Sequence, residues 1–118
     1  MPFRSADALL PLTPISFEIL LALFEEDRHG YAILQIVEAR LGGKLPMRTG
    51  TIYRALARLL DEGLIADAAG ARPAEDDERR KYYRITPLGK KIAKSEAERL
   101  ADQVAAARAH RLLGGARR

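Results

Sequence analysis

A short stretch of this sequence places arginine and threonine side chains at a spacing suited to contact with nucleic acid. In residues 49–62 the apolar side chains recur at spacings of three and four: Ile52, Leu56, Leu59 and Leu60. The same spacing leaves Thr51, Arg54 and Arg58 together on the opposite face of a helix. Arginine binds guanine or phosphate, and threonine donates to phosphate or contacts a thymine methyl group. This face predicts DNA contact, with a solvated helix surface as the alternative.

Further candidate DNA contacts lie at the start of this helix. Thr49 can cap it, and Gly50 allows its backbone to approach a phosphate, which the helix dipole favours. The alternative for Gly50 is a simple turn glycine. Tyr53 borders the apolar face and is either a residue at the edge of the core with its hydroxyl exposed or a phosphate donor. Lys44 and Arg48, in the connection before the helix, are predicted to contact phosphates.

A β-hairpin with a long tip is predicted after this helix. Residues 64–67 and 81–86 have the composition of strands, and residues 68–79 between them are rich in Ala, Gly, Pro and acids. A basic edge on the second strand is predicted to contact DNA: Arg79, Arg80 and Lys81. The acidic run Glu75 to Glu78 lies in the same loop and is repelled by phosphate. The tip therefore either points away from DNA or is neutralised by the nearby arginines.

The remaining apolar periodicity predicts three more helices. Thr13 and Pro14 form a cap-plus-proline start to a helix over about 14–26. A second helix over Tyr31–Leu41 ends at the glycine pair 42–43, and His29 is interpreted as a residue that caps it. Pro87 begins a last helix that continues to about Leu113, about 40 Å long at 1.5 Å per residue.

The last helix is too long for three short helices to cover, and it carries a seam of small and aliphatic residues. The seam alternates spacings of four and three: Ala93, Ala97, Leu100, Val104 and Ala107. Together with Ile92, these residues predict an interface with a second copy of the chain. The alternative is that the seam packs on its own domain. Leu9, Leu10 and Leu12 are predicted to add an N-terminal turn or helix against the same helix.

Composition excludes several classes of function. The chain has 118 residues, 47% hydrophobic, which suits one globular domain. It has no cysteine, and its two histidines, His29 and His110, lie far apart, so neither a metal site nor a cofactor is predicted. Because no nucleophile elbow or Gly-rich phosphate loop is present, we do not expect an enzyme. The longest apolar run, Ile19 to Phe24, is too short to span a bilayer, and a cytoplasmic location is predicted.

Charge is distributed unevenly along the chain. The net charge is +4, but residues 1–43 hold three basic and six acidic side chains, whereas residues 87–118 hold eight and three. A negative front and a positive back fit a protein that binds a polyanion. Uneven charge on an ordinary soluble domain is the alternative.

These elements together predict a mainly α fold with a small β-hairpin, that is, a winged helix-turn-helix followed by a long C-terminal dimerisation helix. Residues 1–86 form the DNA-binding domain, and residues 87–118 form the dimerisation helix and a basic tail. In such a fold the third helix lies in the major groove, and the hairpin is a wing that reaches the adjacent backbone or minor groove.

Three linked motifs resemble the PadR family of bacterial transcriptional regulators: His29-Gly30-Tyr31, residues 50–59 leading to 62–65, and residues 80–89. The resemblance implies a homodimeric winged-helix repressor whose last helix forms the dimer interface, often relieved by a small aromatic or drug-like ligand. It places the DNA-contacting helix on residues 49–58, with Thr51 and Tyr53 as contacts, and the wing on about 66–83. The chain departs from the family pattern in having no tryptophan to sandwich a flat drug and in its acidic wing insert.

The sequence therefore predicts a sequence-specific DNA-binding regulator, a homodimeric repressor whose partner is a double-stranded operator. The alternative is a winged-helix adaptor that binds a protein through its last helix or acidic front and has no specific DNA binding. The presence of both Arg54 and Arg58 on one helix face favours DNA.

Overall fold

The structure is a computed structural model that describes residues 9–42, 49–68 and 81–113. It contains, in chain order, α1 (Pro14–Glu25), β1 (Arg28–His29), α2 (Gly30–Leu41), α3 (Thr49–Asp61), β2 (Ile65–Asp67), β3 (Tyr82–Ile85) and α4 (Pro87–Ala109). The predicted fold class is confirmed, and the predicted helices and hairpin strands lie within a few residues of the observed ones. Strand β1 was not predicted.

The two cap-plus-proline starts are formed as predicted. Thr13 Oγ1 accepts the Ser16 backbone N–H at 3.1 Å, and Thr86 Oγ1 accepts that of Gly89 at 3.0 Å. Gly42 ends α2 in the left-handed conformation, with φ of +53°. These local signals therefore set where three of the four helices begin or end.

The three strands form an antiparallel sheet in the order β1, β3, β2. Ile65 pairs with Ile85 across β2 and β3, and His29 pairs with Tyr82 across β1 and β3. Arg28 in β1 also donates its Nε–H to the Ala22 carbonyl at 2.8 Å, which satisfies an acceptor near the C-terminal end of α1. Strand β1 thus links the first two helices to strand β3 of the hairpin.

One hydrophobic core lies between the helices and the inner face of this sheet. Its largest buried side chains include Ile19 and Leu23 of α1, Ile33 and Val37 of α2, Ile52, Leu56 and Leu59 of α3, Ile85 of β3 and Ile92 of α4. Since α3 contributes one whole stripe to this core, its opposite face is held at the surface in a fixed orientation.

The interface prediction is wrong for Ile92 and Ala93. Both side chains are buried in the core of their own chain, so they have no surface left for a partner. The first half of α4 therefore shares a core with α1 to α3, and the division of the chain after residue 86 stays a prediction. Beyond Leu100 the helix leaves the core, and every residue from 101 to 106 is exposed.

A smaller difference concerns the end of α4, and the segment before α1 packs against the core. Helix α4 stops at Ala109 rather than about Leu113, and Arg111 takes a left-handed conformation with φ of +62°. Leu9, Leu10 and Leu12 are partly buried against the core, in a segment that precedes α1.

None of the helices in the described ranges is long and apolar enough to cross a membrane.

Candidate nucleic-acid interface

Helix α3 separates apolar from polar side chains sharply. Ile52 is fully buried, and Leu56 and Leu59 are almost fully buried, whereas Arg54 and Arg58 are exposed on the other side. Residues 49–60 contain two arginines and no acidic residue. The structure thus brings these predicted contacts together on one cationic surface of the helix.

The Arg54 side chain folds back along α3 towards Gly50. A Cβ atom built on Gly50 would lie 3.0 Å from Arg54 Nη1 and 3.7 Å from Cζ, with no other neighbour closer than these. The guanidinium group therefore covers the first turn of the helix, where backbone N–H groups have no partner within the helix. Cation and helix N-terminus form one positive surface at this end of α3.

Thr51 and Tyr53 are both half-buried, but they differ in what they expose. Tyr53 packs against the edge of the core, and its hydroxyl oxygen is buried. A buried hydroxyl does not reach a phosphate, so the structure supports the interpretation of Tyr53 as a residue at the edge of the core, but with its hydroxyl buried rather than exposed. The expectation that Tyr53 donates to a phosphate is corrected accordingly. Thr51 retains surface on the same side of the helix as Arg54.

Arg58 borders a cavity of about 170 Å³ at the C-terminal end of α3. Residues 9–13, Ser16 and Glu62 line the rest of it. The two exposed arginines of α3 therefore have different surroundings. Arg54 lies over the first turn of the helix, and Arg58 lies between the exposed face of α3 and the segment that precedes α1.

The start of β3, on the tip side of the hairpin, presents a second polar surface. Lys81 is exposed, and its carbonyl accepts the Gly30 N–H at 3.1 Å. The exposed Tyr82 ring meets the His29 ring edge to face, with centroids 5.5 Å apart. His29 Nδ1 also accepts the Ala32 backbone N–H at 3.1 Å, as expected of a residue that caps α2.

The structure describes only some of the remaining predicted DNA contacts. Thr49 begins α3. Lys44, Arg48, Arg79, Arg80 and the acidic run Glu75 to Glu78 lie outside the described residues. They stay predictions.

The outer part of the α4 seam is available to a partner. Ala97 is exposed, Val104 is 44% exposed, and Leu100 and Ala107 are half-buried. We call these four residues the outer seam. They continue the helix stripe of Ile92 and Ala93 beyond the edge of the core.

A buried acid on α4 was missed by the sequence analysis. Glu96 is only 2% exposed and accepts two hydrogen bonds from the Arg99 guanidinium. Its position is a signal in itself, because it follows Ile92 by four residues and Ala93 by three and so falls on the inward stripe. In the described part of the chain no three His, Asp or Glu side chains are grouped to hold a metal ion.

Comparison with known proteins agrees with this geometry. The chain belongs to the transcriptional regulator PadR-like family, whose sequence model matches residues 19–95. That range contains α3, all three strands and the buried half of α4. The family is one of regulators rather than enzymes.

Two solved structures and one curated relative show the extent of the similarity. A transcriptional regulator from Clostridium thermocellum is 32% identical with a TM-score of 0.61, over 86% of this chain and 94% of that one. Bacillus subtilis PadR in complex with operator DNA is 26% identical with a TM-score of 0.58, over 72% of this chain and 47% of that one. An uncharacterized protein X of Lysinibacillus sphaericus is 38% identical over 61% of this chain, and the match spans 64% of that protein's length.

Proposed function

We propose that this protein is a homodimeric repressor that binds a double-stranded DNA operator in a sequence-specific manner. The observation that carries the proposal is the exposed face of α3, where Arg54 and Arg58 project opposite a buried apolar stripe with no acid between residues 49 and 60. The similar B. subtilis PadR is bound to operator DNA in its solved structure, which supports the same kind of partner here.

Each exposed polar side chain of α3 and the hairpin has its own role in the proposed binding of DNA. Helix α3 enters the major groove, where Arg54 reads a guanine or holds the phosphate beside the first turn. Thr51 contacts the backbone or a thymine methyl group from the same side. Lys81, just before β3 on the tip side of the hairpin, neutralises a phosphate next to the groove. Arg58 contributes positive charge at the far end of the helix.

The dimer in this proposal forms through the outer seam of α4. From residue 101 to 106 every residue of the helix is exposed, although Val104 is apolar. An isolated helix end of this length is marginal in water, and a second copy supplies the missing contacts. A two-fold dimer would present two α3 helices to half-sites one DNA turn apart, roughly 34–36 Å.

An effector site is proposed at the cavity beside Arg58. Its volume of about 170 Å³ is of the order that holds a single aromatic ring. Leucines at positions 9, 10 and 12 offer apolar surface, and Arg58 attracts an anion against the opposing charge of Glu62, so benzoate is a suitable first probe. Release of the operator by benzoate in the wild-type protein but not in R58A would support this site, and equal release from both would contradict it.

The test of DNA recognition compares a labelled duplex from upstream of the protein's own gene with a scrambled duplex, at about 50 and about 200 mM salt. We expect fluorescence anisotropy to show a preference for the upstream duplex that persists at the higher salt. If neither upstream nor wider genomic duplexes are preferred over scrambled DNA, specific recognition is contradicted and the protein-adaptor alternative is favoured.

A further inference from the structure

Strand β3 of the hairpin is joined to the start of helix α2 through a strand of only two residues. In this strand, β1, Arg28 pairs with Tyr83 and His29 pairs with Tyr82. So short a strand forms few backbone hydrogen bonds, and strand pairing is marginal in water without further contacts. The side chains of β1 therefore contribute much of what holds β3 on α2.

Both side chains of β1 are anchored to helices. Arg28 donates its Nε–H to the Ala22 carbonyl of α1 at 2.8 Å. His29 Nδ1 accepts the Ala32 backbone N–H at 3.1 Å, so the imidazole is the N-cap of α2. Because Nδ1 is the acceptor, the neutral ring carries its proton on Nε2. The hydrogen bond to α2 thus fixes the direction in which the imidazole points.

The same imidazole also contacts the hairpin. Its ring centroid lies 5.5 Å from that of Tyr82, and the two ring planes are 87° apart, which is the favourable edge-to-face arrangement. The next backbone N–H, that of Gly30, donates to the Lys81 carbonyl at 3.1 Å. His29 and Gly30 therefore hold two successive residues of the hairpin, Tyr82 and Lys81, at the start of α2.

We infer that His29 is a positioning residue: one imidazole caps α2 and packs on Tyr82, and so fixes Lys81 relative to the helix-turn-helix. Helices α2 and α3 share one core through Ile33 and Ile52, so a residue fixed on α2 is also fixed relative to the exposed face of α3. The consequence for DNA rests on the proposed function. A cation held in one place meets its phosphate without first losing conformational freedom, and His29 need not touch DNA itself.

The direct test measures the attachment of β3 without DNA, by amide hydrogen exchange followed by NMR. In H29N the asparagine oxygen can still cap α2, because asparagine is a favoured N-cap, but the ring atoms that meet Tyr82 are gone. We expect the Gly30 amide, which is bonded to the Lys81 carbonyl, to exchange at least about tenfold faster in H29N. Core amides of α2 and α3 should keep their protection, which separates local release of β3 from a general loss of stability.

The control variant is H110N, which makes the same substitution at the other of the two histidines, exposed just after α4. It should leave the exchange of Gly30 unchanged. If H29N does not fold, Y82A replaces it, since Tyr82 is 41% exposed and its loss opens no buried cavity. Protection of Gly30 equal to that in the wild type, in H29N or in Y82A where H29N is unfolded, would overturn the inference.

The second readout is the salt dependence of operator binding in H29N, K81Q and the double variant. Loss of one phosphate contact should lower the slope of log K against log salt by about 0.9, so K81Q should show this change and H29N should show most of it. The double variant should bind no more weakly than K81Q, because His29 acts through Lys81. Losses that multiply in the double variant would overturn the positioning role.

The two readouts separate the positioning role from the proposed function. If the wild type binds no DNA while H29N still speeds the exchange of Gly30, the proposed function fails and the attachment of β3 by His29 stands. If the wild type binds its operator and Gly30 stays protected in both H29N and Y82A, the positioning role fails and the proposed function stands.

Discussion

Gly89, in the first turn of α4, lies directly against the carbonyl oxygen of Leu64. A Cβ built on residue 89 would be 2.1 Å from that oxygen and 2.8 Å from Cγ1 of Ile85. The same carbonyl accepts the Thr86 N–H at 3.1 Å, and Thr86 Oγ1 donates to the Gly63 carbonyl at 2.6 Å. The missing side chain at position 89 therefore allows α4 to begin in contact with the hairpin.

Replacing Gly89 should strongly lower the free energy of unfolding. In G89A the new methyl group meets backbone, which cannot rotate away, so α4 must move off Leu64. We expect a loss of about 3 kcal/mol in the free energy of unfolding, measured by urea denaturation. A loss below about 1 kcal/mol would show that the junction adapts easily.

Replacing Gly50 should weaken operator binding without lowering the stability of the fold. Among the described residues, the nearest atoms to the new methyl group of G50A belong to the flexible Arg54 guanidinium, with Nη1 at 3.0 Å. Alanine also favours the helix, so stability should be unchanged or raised by up to about 1 kcal/mol. The displaced guanidinium should weaken operator binding, measured by anisotropy.

The variant R54A gives the full loss of operator binding that follows when the Arg54 guanidinium is removed, against which the loss in G50A is compared. It should cost about 1–3 kcal/mol of operator binding while leaving the oligomeric state unchanged. G50A should lose less than R54A, and the double variant should lose no more than R54A alone. Additive losses in the double variant would mean that the two residues act on DNA independently.

Substitution of Val104 tests whether the outer seam joins two copies of the chain. It is 44% exposed in the single chain, so V104E leaves the folding core untouched. If the seam joins two copies, a glutamate there meets its symmetry mate or an apolar partner, and sedimentation should show monomers. The control is Q103E, which adds the same charge at the exposed neighbouring position and should remain dimeric. Dimers that persist in V104E would place the interface elsewhere.

Local signals in the sequence were sufficient for most of the fold. Thr13 and Thr86 each precede a proline, and the structure forms both caps because the hydroxyl, the fixed proline φ and the helix start act within four residues. The exposed position of Arg54 likewise follows from the spacing of its buried neighbours. Such features depend on residues close in sequence and are predictable for that reason.

Features that depend on distant residues were missed. Strand β1 has only two residues, too few for an alternating pattern, and it exists because β3 pairs with it. Spacing places Ile92 and Ala93 on one stripe of α4 but does not say whether that stripe packs on its own core or on a second copy. The lowered pKa of Glu96 depends in part on the backbone of Leu12, which lies far away along the chain.

Acid stability should report on Glu96 directly. The Arg99 guanidinium, by hydrogen bonding and charge, lowers the pKa of Glu96 below its ordinary value of about 4.5, against the opposing effect of burial, and the Leu12 N–H lowers it further. The unfolded chain therefore takes up a proton on this residue before the folded chain does. The stability that Glu96 contributes is fully present above about pH 4.5 and is lost as the pH falls through the lowered pKa.

The variant E96Q lacks this contribution at every pH. The difference in unfolding free energy between wild type and E96Q should therefore be largest near pH 6 and should shrink steadily below about pH 4.5. R99Q should return the pKa of Glu96 towards its ordinary value, because it removes the largest cause of the shift, and should reduce the same pH dependence. Urea titrations of the three proteins between about pH 3 and pH 6 measure both effects. A difference between wild type and E96Q that stays constant over this range would mean that the buried carboxylate gains nothing from its ionised partners in the folded chain.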